Sequence, residues 1–386
     1  MAKASSAIPF AGIPFPRSEY EHRQKRVLEA MARADLDALL VTAHGHLRYL
    51  TGYDGLGGYF MPFPLILVPR QAPTYVVREY EVNGVRAESC IDEVVGYIQQ
   101  QDFAKVCADV LRRYGLENGR VGFELGCWNL APADVGALQA QLPNLKVVDA
   151  TRLVTSVSVV KSELEIKIMR EAMAMTDLAM RTFQGALRDG VTEAEVAASI
   201  HYEIRNAGGD DVRMVSLGFG ERNKLPHGKP TRHPLRTNEP AMIEVGGTKH
   251  GYAAGLVRSA VLGRHPEAES LHALSEEALE AAIAAIKPGV TAGEVDAAGR
   301  KVIERSRRPE VFRHRTGYQI GLNWGERGNL SLEPGAVDIL QSGMTLHMPF
   351  ILFSESGYLF GCSENVLVTE RGAEILSQTP HTLYRA

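Results

Sequence analysis

One segment in the second half of the chain occurs twice. Gly-Val-Thr-Glu-Ala-Glu-Val-Ala-Ala at 190–198 recurs as Gly-Val-Thr-Ala-Gly-Glu-Val-Asp-Ala at 289–297, and each copy lies between long helical segments. In both copies a threonine can cap a helix whose third residue is glutamate, which is the capping-box pattern. Two similar helix starts arising by chance are the alternative, but the flanking elements recur as well, and such repeats record duplicated units. The repeat therefore predicts two α/β halves related by a pseudo-two-fold axis, with a cleft between them.

The first part of the chain is organised differently. From about residue 15 to 155, helical patterns alternate with short apolar and β-branched strands, and this alternation is typical of an α/β domain. A boundary is expected at 151–160, because Ser162 and Glu165 then form another capping box that starts a long helix. We predict an α/β protein with a smaller N-terminal domain at 15–155 and a duplicated domain at 160–386.

Composition argues against several functional classes. The formal net charge is −4, whereas a nucleic-acid or membrane-surface partner would require a basic face. The 4 cysteines lack paired metal-ligand spacing and are too sparse for a disulfide framework. The apolar stretch 4–16 is broken by prolines, unlike a signal peptide, and no run approaches the ~18–20 apolar residues of a membrane helix. We expect a cytoplasmic protein that acts on a small molecule.

The segment 241–259 runs Ala-Met-Ile-Glu-Val-Gly-Gly-Thr-Lys-His-Gly-Tyr-Ala-Ala-Gly-Leu-Val-Arg-Ser. It resembles the central block of the pita-bread superfamily, which includes methionine aminopeptidases, Xaa-Pro dipeptidases and creatinase. Leu-Pro-His-Gly-Lys-Pro at 225–230 and the segment 363–372 resemble two further blocks, and 49–53 resembles the signature of the creatinase-type N-terminal domain. The resemblance implies a creatinase-type domain followed by a pita-bread domain.

The same resemblance implies a metal site whose ligands have been replaced. Superfamily members that hold two metal ions carry Asp, Asp, His, Glu and Glu, and the matching positions here are Glu244, Gly255, Tyr318, Pro349 and Glu364. Glycine and proline side chains supply no ligand, and two divalent ions need most of that set. We therefore expect no metal and no other cofactor, although a single ion between the remaining acids and His347 stays open.

Four further blocks lie at 78–86, 317–322, 324–326 and 343–347. They resemble ectoine hydrolases in particular, which also lack the metal ligands and place glutamate where the first aspartate would be. Creatinase is also metal-free, but it retains a Gly-His block where this chain has Gly-Tyr. The loop at 54–61 departs from the ectoine hydrolase pattern because it lacks a tryptophan, which leaves the substrate open.

The resemblance assigns roles to four polar residues. His227 would shuttle protons, for which an imidazole that titrates near neutrality is suited. Glu244 lies in or at the end of a buried strand, where it either forms a salt bridge with a core arginine such as Arg258 or binds a cationic amidine or guanidine. In the second case it attacks the sp² carbon directly or orients a water. Glu364 either assists as acid or base or forms a structural ion pair, and Arg258 is placed with the substrate-binding candidates.

The remaining candidates would shape the pocket. Tyr318 and His347 can donate hydrogen bonds to charge that develops on the substrate, or they are satisfied core residues. Trp324 can form a wall that stacks on a planar cation. In creatinase-like homodimers the aromatic loop with Tyr59 and Phe60 would reach the neighbour's cleft; simple core packing is the alternative.

We predict a metal-independent hydrolase that opens or cleaves a C–N bond in a small cationic amidine-like solute, with ectoine as the named substrate. A creatinase-like amidinohydrolase acting on a guanidino acid and an Xaa-Pro dipeptidase are the enzymatic alternatives. A catalytically inactive pita-bread binding module is the alternative from another class, although a decayed site would not need to retain Glu244 and His227. A homodimer is expected from the resemblance.

Overall fold

The computed structural model describes residues 13–55, 61–99, 102–326 and 328–386. The chain divides into two compact units. The first consists of Met1–Ser158 with Glu326–Asn329, and the second of Val159–Gly325 with Leu330–Ala386, each to the extent that it is described. The sequence did not predict that a short segment after residue 325 belongs to the first unit.

The first unit is built on a six-stranded mixed sheet in the order β4-β3-β2-β1-β5-β6. Its strands are β1 (Ala38–Val41), β2 (Leu65–Leu67), β3 (Thr74–Arg78), β4 (Glu93–Tyr97), β5 (Arg120–Phe123) and β6 (Lys146–Asp149). Its helices are α1 (Arg17–Arg33), α2 (His44–Thr51), α3 (Val82–Glu88), α4 (Asp102–Arg113), α5 (Pro132–Gln141) and α6 (Leu153–Ser158). The apolar face of α4, with Phe103, Cys107 and Leu111, packs into the same buried cluster as Leu40 and Phe123 of the sheet. This is the alternating α/β arrangement that the sequence predicts.

The second unit contains two sheets and four long helices. Its helices are α7 (Glu163–Ala186), α8 (Glu193–Asn206), α9 (Pro266–Ala284) and α10 (Ala292–Arg305). One sheet has the order β15-β9-β8-β7, formed by β7 (Val212–Phe219), β8 (Pro240–Lys249), β9 (Tyr252–Val261) and β15 (Tyr384–Arg385). The other has the order β11-β10-β12-β13-β14, formed by β10 (Gly317–Gln319), β11 (Ser331–Leu332), β12 (Thr345–Phe353), β13 (Leu359–Thr369) and β14 (Gly372–Ile375). Helix α7 packs on β8 and β9, and α9 packs on β12 and β13.

The sequence repeat corresponds to a repeated structure. Thr192 Oγ1 accepts the Glu195 N–H at 3.3 Å, and Thr291 Oγ1 accepts the Glu294 N–H at 3.1 Å, so both capping boxes form. The glycine that opens each copy adopts a positive φ, and its N–H donates to a leucine carbonyl, that of Leu235 at 2.8 Å in the first copy and that of Leu340 at 2.9 Å in the second. Equivalent capping, turns and hydrogen bonds in the two copies confirm that this unit is a duplication of one α/β half.

Candidate active site

A pocket of about 150 Å³ lies in the second unit. Residues of β7, β8, β9, β10, β12 and β13 border it, together with the loops before β8 and β10. The lining residues are Ser216, Pro226, His227, Met242, Glu244, Val257, Arg313, His314, Tyr318, Pro349, Ile351, Phe353 and Leu359. Apolar walls with a few polar groups are typical of a small-molecule site.

Glu244 is the acidic group of this pocket. It lies in β8, opposite Ser216 of β7 and Val257 of β9, and its side chain is 14% exposed. Within the described part of the chain its ion-pair partner is His227, whose Nε2 lies 3.7 Å from Oε2. Burial raises the pKa of the Glu244 carboxyl, and the neighbouring imidazole partly opposes that shift. The predicted alternative of a salt bridge to Arg258 is wrong, because Arg258 pairs elsewhere.

His227 is presented by a tight turn. The Gly228 N–H donates to the Leu225 carbonyl at 3.2 Å, with Pro226 at the second turn position and His227 at the third, where its φ is 55°. Proline followed by a residue with positive φ is the type II pattern, in which glycine or asparagine is usual at the third position. Histidine is among the non-glycine residues that adopt such a positive φ more often than most. The turn leaves the imidazole 69% exposed to solvent.

Tyr318 and His347 form a cross-strand pair between β10 and β12. The Tyr318 hydroxyl lies 3.0 Å from His347 Nδ1 and accepts the Trp324 Nε1–H at 3.0 Å. On its other side, His347 Nε2 lies 2.9 Å from Ser363 Oγ. Burial lowers the pKa of His347 to about 3, which keeps the imidazole neutral. Burial, followed by the charge of Glu244, raises the pKa of Tyr318 to about 12, so the hydroxyl stays protonated.

Trp324 occupies the space beside two glycines of the central block. A Cβ added at Gly255 or at the opposite residue Gly246 would overlap its indole ring. Trp324 is not among the residues that line the pocket; its ring packs on β8 and β9, and its N–H is directed to Tyr318. The side chain of an aspartate at position 255 would overlap the Trp324 ring.

These residues do not fit a two-metal centre. Gly255 and Pro349 offer no donor atom, and Tyr318 is engaged with His347 and Trp324. Among the described residues, no three His, Cys, Asp or Glu side chains are grouped so that they could hold a metal ion. This also removes support for a single ion held by Glu244, His347 and Glu364. Whether turnover needs a metal stays a prediction, to be tested by experiment.

The structure separates Glu364 and Arg258 from the pocket, which corrects their assignment as catalytic and substrate-binding residues. Arg258 is fully buried, and its guanidinium donates to Glu364 and to the carbonyls of Val257, Ser363, Thr379 and Pro380. These bonds use the five N–H groups that an arginine has.

Glu364 is equally engaged. Its carboxylate also accepts the Ser377 hydroxyl at 2.5 Å and faces His381 Nδ1 at 3.2 Å. Successive side chains of a strand point to opposite faces, so Glu364 faces this buried cluster and its neighbour Ser363 faces His347. The pair is the structural ion pair that the sequence left as an alternative.

Sequence reasoning missed Ser363, because only the pairing of β12 with β13 brings it to His347. The side chains of Ser363 and Asn365 share one face of β13, opposite the face of Glu364, but residues 359–368 are buried on both faces, so no alternation of buried and exposed positions marks the two sides. Tyr59 and Phe60 lie outside the described residues.

Comparisons with known proteins connect this site to a family. The model described as "Metallopeptidase family M24" matches residues 167–370, and "Creatinase/Prolidase N-terminal domain" matches residues 23–160. The chain is 31% identical over 388 residues to the "Uncharacterized hydrolase/peptidase y4tM" of Sinorhizobium fredii, covering 96% of this chain and 98% of the relative. It is 27% identical over 398 residues to the ectoine hydrolase of Halomonas elongata, covering 96% and 98%.

Among solved structures, the dipeptidase PepE from Mycobacterium ulcerans matches with a TM-score of 0.86 at 26% identity, covering 96% of this chain and 99% of that chain. Together these matches confirm the predicted creatinase-type N-terminal domain followed by a pita-bread domain. Identities of 27% and 26% do not separate an ectoine hydrolase from a dipeptidase.

Proposed function

The chain belongs to metallopeptidase family M24, a family of hydrolases, and from that premise we propose that it hydrolyses a C–N bond in a small cationic solute without a bound metal. The observation that carries the proposal is the environment of Glu244, a largely buried carboxylate beside a small pocket, with a mostly exposed histidine as its ion-pair partner among the described residues. Burying a charge without a close partner is costly. A planar amidinium or guanidinium would supply that partner through paired hydrogen bonds.

The pocket residues suggest how such a cation would react. An amidine carbon is an electrophile, and Glu244 would hold its two nitrogens. A water that gives its proton to His227 adds to this carbon, and the C–N bond breaks when the departing nitrogen takes that proton back. The alternative route is direct attack by the carboxylate, which forms a covalent intermediate that water then releases. Trapping with hydroxylamine during turnover would reveal the covalent route.

Metal independence is supported by the side chains rather than by family membership, which points the other way. Gly255 and Pro349 carry no donor, and the Trp324 ring fills the space beside Gly255. The carboxylate of Glu244 would therefore act on the substrate itself. Ectoine, whose ring contains an amidine, is the substrate that we propose.

The test is turnover of ectoine by chelator-treated protein, followed by NMR, with the residual metal content measured on the same sample. Ring opening in the metal-depleted sample supports the proposal. Glu244→Gln keeps the shape of the side chain and removes its charge, and is expected to reduce kcat by about 10²–10⁴-fold. Glu203→Gln, on the exposed face of α8, is the matched control and should retain full activity. Near-full activity of Glu244→Gln would contradict the mechanism.

A dipeptidase is the second candidate, because the solved relative PepE is named a dipeptidase and the family model is that of metallopeptidases. Arg313 and His314 border the pocket and could face the carboxylate of a dipeptide. Xaa-Pro dipeptides should therefore be offered with and without Mn²⁺. Hydrolysis that appears only when the metal is added would overturn the metal-independent proposal.

Creatine and other guanidino acids complete the substrate panel, since they share the planar cation. If ectoine, creatine and dipeptides all bind without turnover, the inactive binding module gains support.

We also propose a homodimer, which sedimentation analysis would test. Among the described residues, no helix is both long and apolar enough to span a membrane.

A further inference from the structure

The geometry points to Ser363 as a positioning residue that fixes which ring nitrogen of His347 carries its proton, and thereby directs the hydroxyl proton of Tyr318 into the pocket. The inference deepens the proposed function and rests on it only for its kinetic consequence. The arrangement of protons is a property of the substrate-free protein.

Ser363 is held from two sides. It is fully buried, and its Oγ accepts the backbone N–H of Val257 at 2.7 Å. Its Oγ also lies 2.9 Å from His347 Nε2. Within the described ranges no further hydrogen-bond partner of this hydroxyl is present. Because the Val257 N–H can only donate, the serine proton has one acceptor available to it among the described residues, the imidazole nitrogen.

Two proton arrangements are conceivable for this chain of groups. In the first, Ser363 donates to Nε2, and the Nδ1–H of His347 donates to the Tyr318 oxygen, which lies 3.0 Å away and also accepts the Trp324 N–H. In the second, Nε2–H donates to Ser363, and the proton of a fully buried hydroxyl is left without an acceptor. Buried polar groups are almost always paired, so the first arrangement is favoured.

The first arrangement determines what Tyr318 can do. Its oxygen accepts two hydrogen bonds, so its own proton is free, and Tyr318 borders the pocket that Glu244 also lines. Donors that converge on a hydroxyl oxygen polarise its O–H bond and strengthen its own donation. The pocket thus presents a hydrogen-bond donor and a carboxylate to one ligand. In the second arrangement the phenol donates to Nδ1 and offers the substrate no proton.

The first test is the tautomer of His347 in the substrate-free protein, read from long-range ¹H–¹⁵N correlations of the imidazole and assigned with the variant His347→Gln. We expect Nδ1 protonated and Nε2 unprotonated. Ser363→Ala is expected to shift His347 toward the Nε2–H form, whereas Ser363→Thr, which keeps the hydroxyl, retains the wild-type pattern. An Nε2–H imidazole or an imidazolium in the wild-type protein would overturn the inference, whether or not any variant folds.

The second test is kinetic. Removing a donor to developing charge costs about 10²–10³-fold in kcat, which is the expected effect of Tyr318→Phe. Ser363→Ala should lower kcat with little change in KM, and adding it to Tyr318→Phe should cause no further loss, because both changes remove the same proton from the pocket. Losses that multiply would refute the coupling. Absence of turnover on every substrate would refute the proposed function, while the tautomer measurement would still decide the role of Ser363.

Discussion

Replacing Gly255 by alanine is expected to destabilise the second unit by about 1–3 kcal/mol. The new methyl would overlap the six-membered ring of Trp324, whose Cζ2 and Cζ3 atoms lie 2.8 Å from the added carbon. Overpacking of this kind costs about 1–3 kcal/mol, and displacing the indole would also break its hydrogen bond to Tyr318, at a cost of about 1 kcal/mol. The loss of a flexible glycine from the unfolded chain offsets about 0.4–1 kcal/mol.

Urea unfolding followed by far-UV circular dichroism measures this effect, and thermal unfolding should show a decrease in Tm of roughly 2–4 °C per kcal/mol. The control is the same substitution in a Trp324→Ala background. With the ring absent, Gly255→Ala should cost less than about 0.5 kcal/mol, because the three heavy atoms nearest to the added carbon all belong to that ring. An equal cost in both backgrounds, or no cost in the wild-type background, would show that the indole does not fill the space beside Gly255.

Three further predictions concern the same unit. Glu364→Ala leaves Arg258 buried without its carboxylate and should lower the free energy of unfolding by about 3–5 kcal/mol, while kcat/KM of the folded fraction stays within about threefold of wild type. Burial lowers the pKa of His347 from 6.5 to about 3, so only the unfolded chain binds this proton between those values. Stability should therefore fall by up to about 1.4 kcal/mol per pH unit as the pH drops through that range, and His347→Gln should flatten the slope. Thr192→Ala and Thr291→Ala each remove a helix cap and should cost about 1 kcal/mol in urea unfolding, with additive effects in the double variant because the caps lie in separate copies of the repeat.

The helix starts could be predicted because their determinants are local. The side-chain oxygen of Ser162 or of either repeat threonine reaches an N–H only three residues ahead, so the sequence around it contains both partners. The alternation of helices and strands in the first unit could be predicted for the same reason, because each element is indicated by a pattern of neighbouring residues. The turn that presents His227 also follows from four consecutive residues, with proline in the position that a type II turn favours.

The candidate site was predicted in part. The roles assigned to Glu244, His227 and Tyr318 stay predictions, but all three residues border one pocket. Glu364 does not border the pocket. The register of a strand decides which face each side chain occupies, so a difference of one position separates the pocket side from the buried ion pair. The same register places Ser363 beside His347, across 16 residues of chain.

The sequence by itself determined the duplicated architecture and the helix caps, because these depend on residue identity and short-range spacing. The tertiary structure alone decided three things. It placed the Trp324 ring against two glycines of β8 and β9, it directed Arg258 to Glu364 rather than to Glu244, and it connected Ser363, His347 and Tyr318. Each is a contact between strands or loops that are far apart in the chain. Such contacts depend on sheet register and on packing volume, neither of which is determined by neighbouring residues.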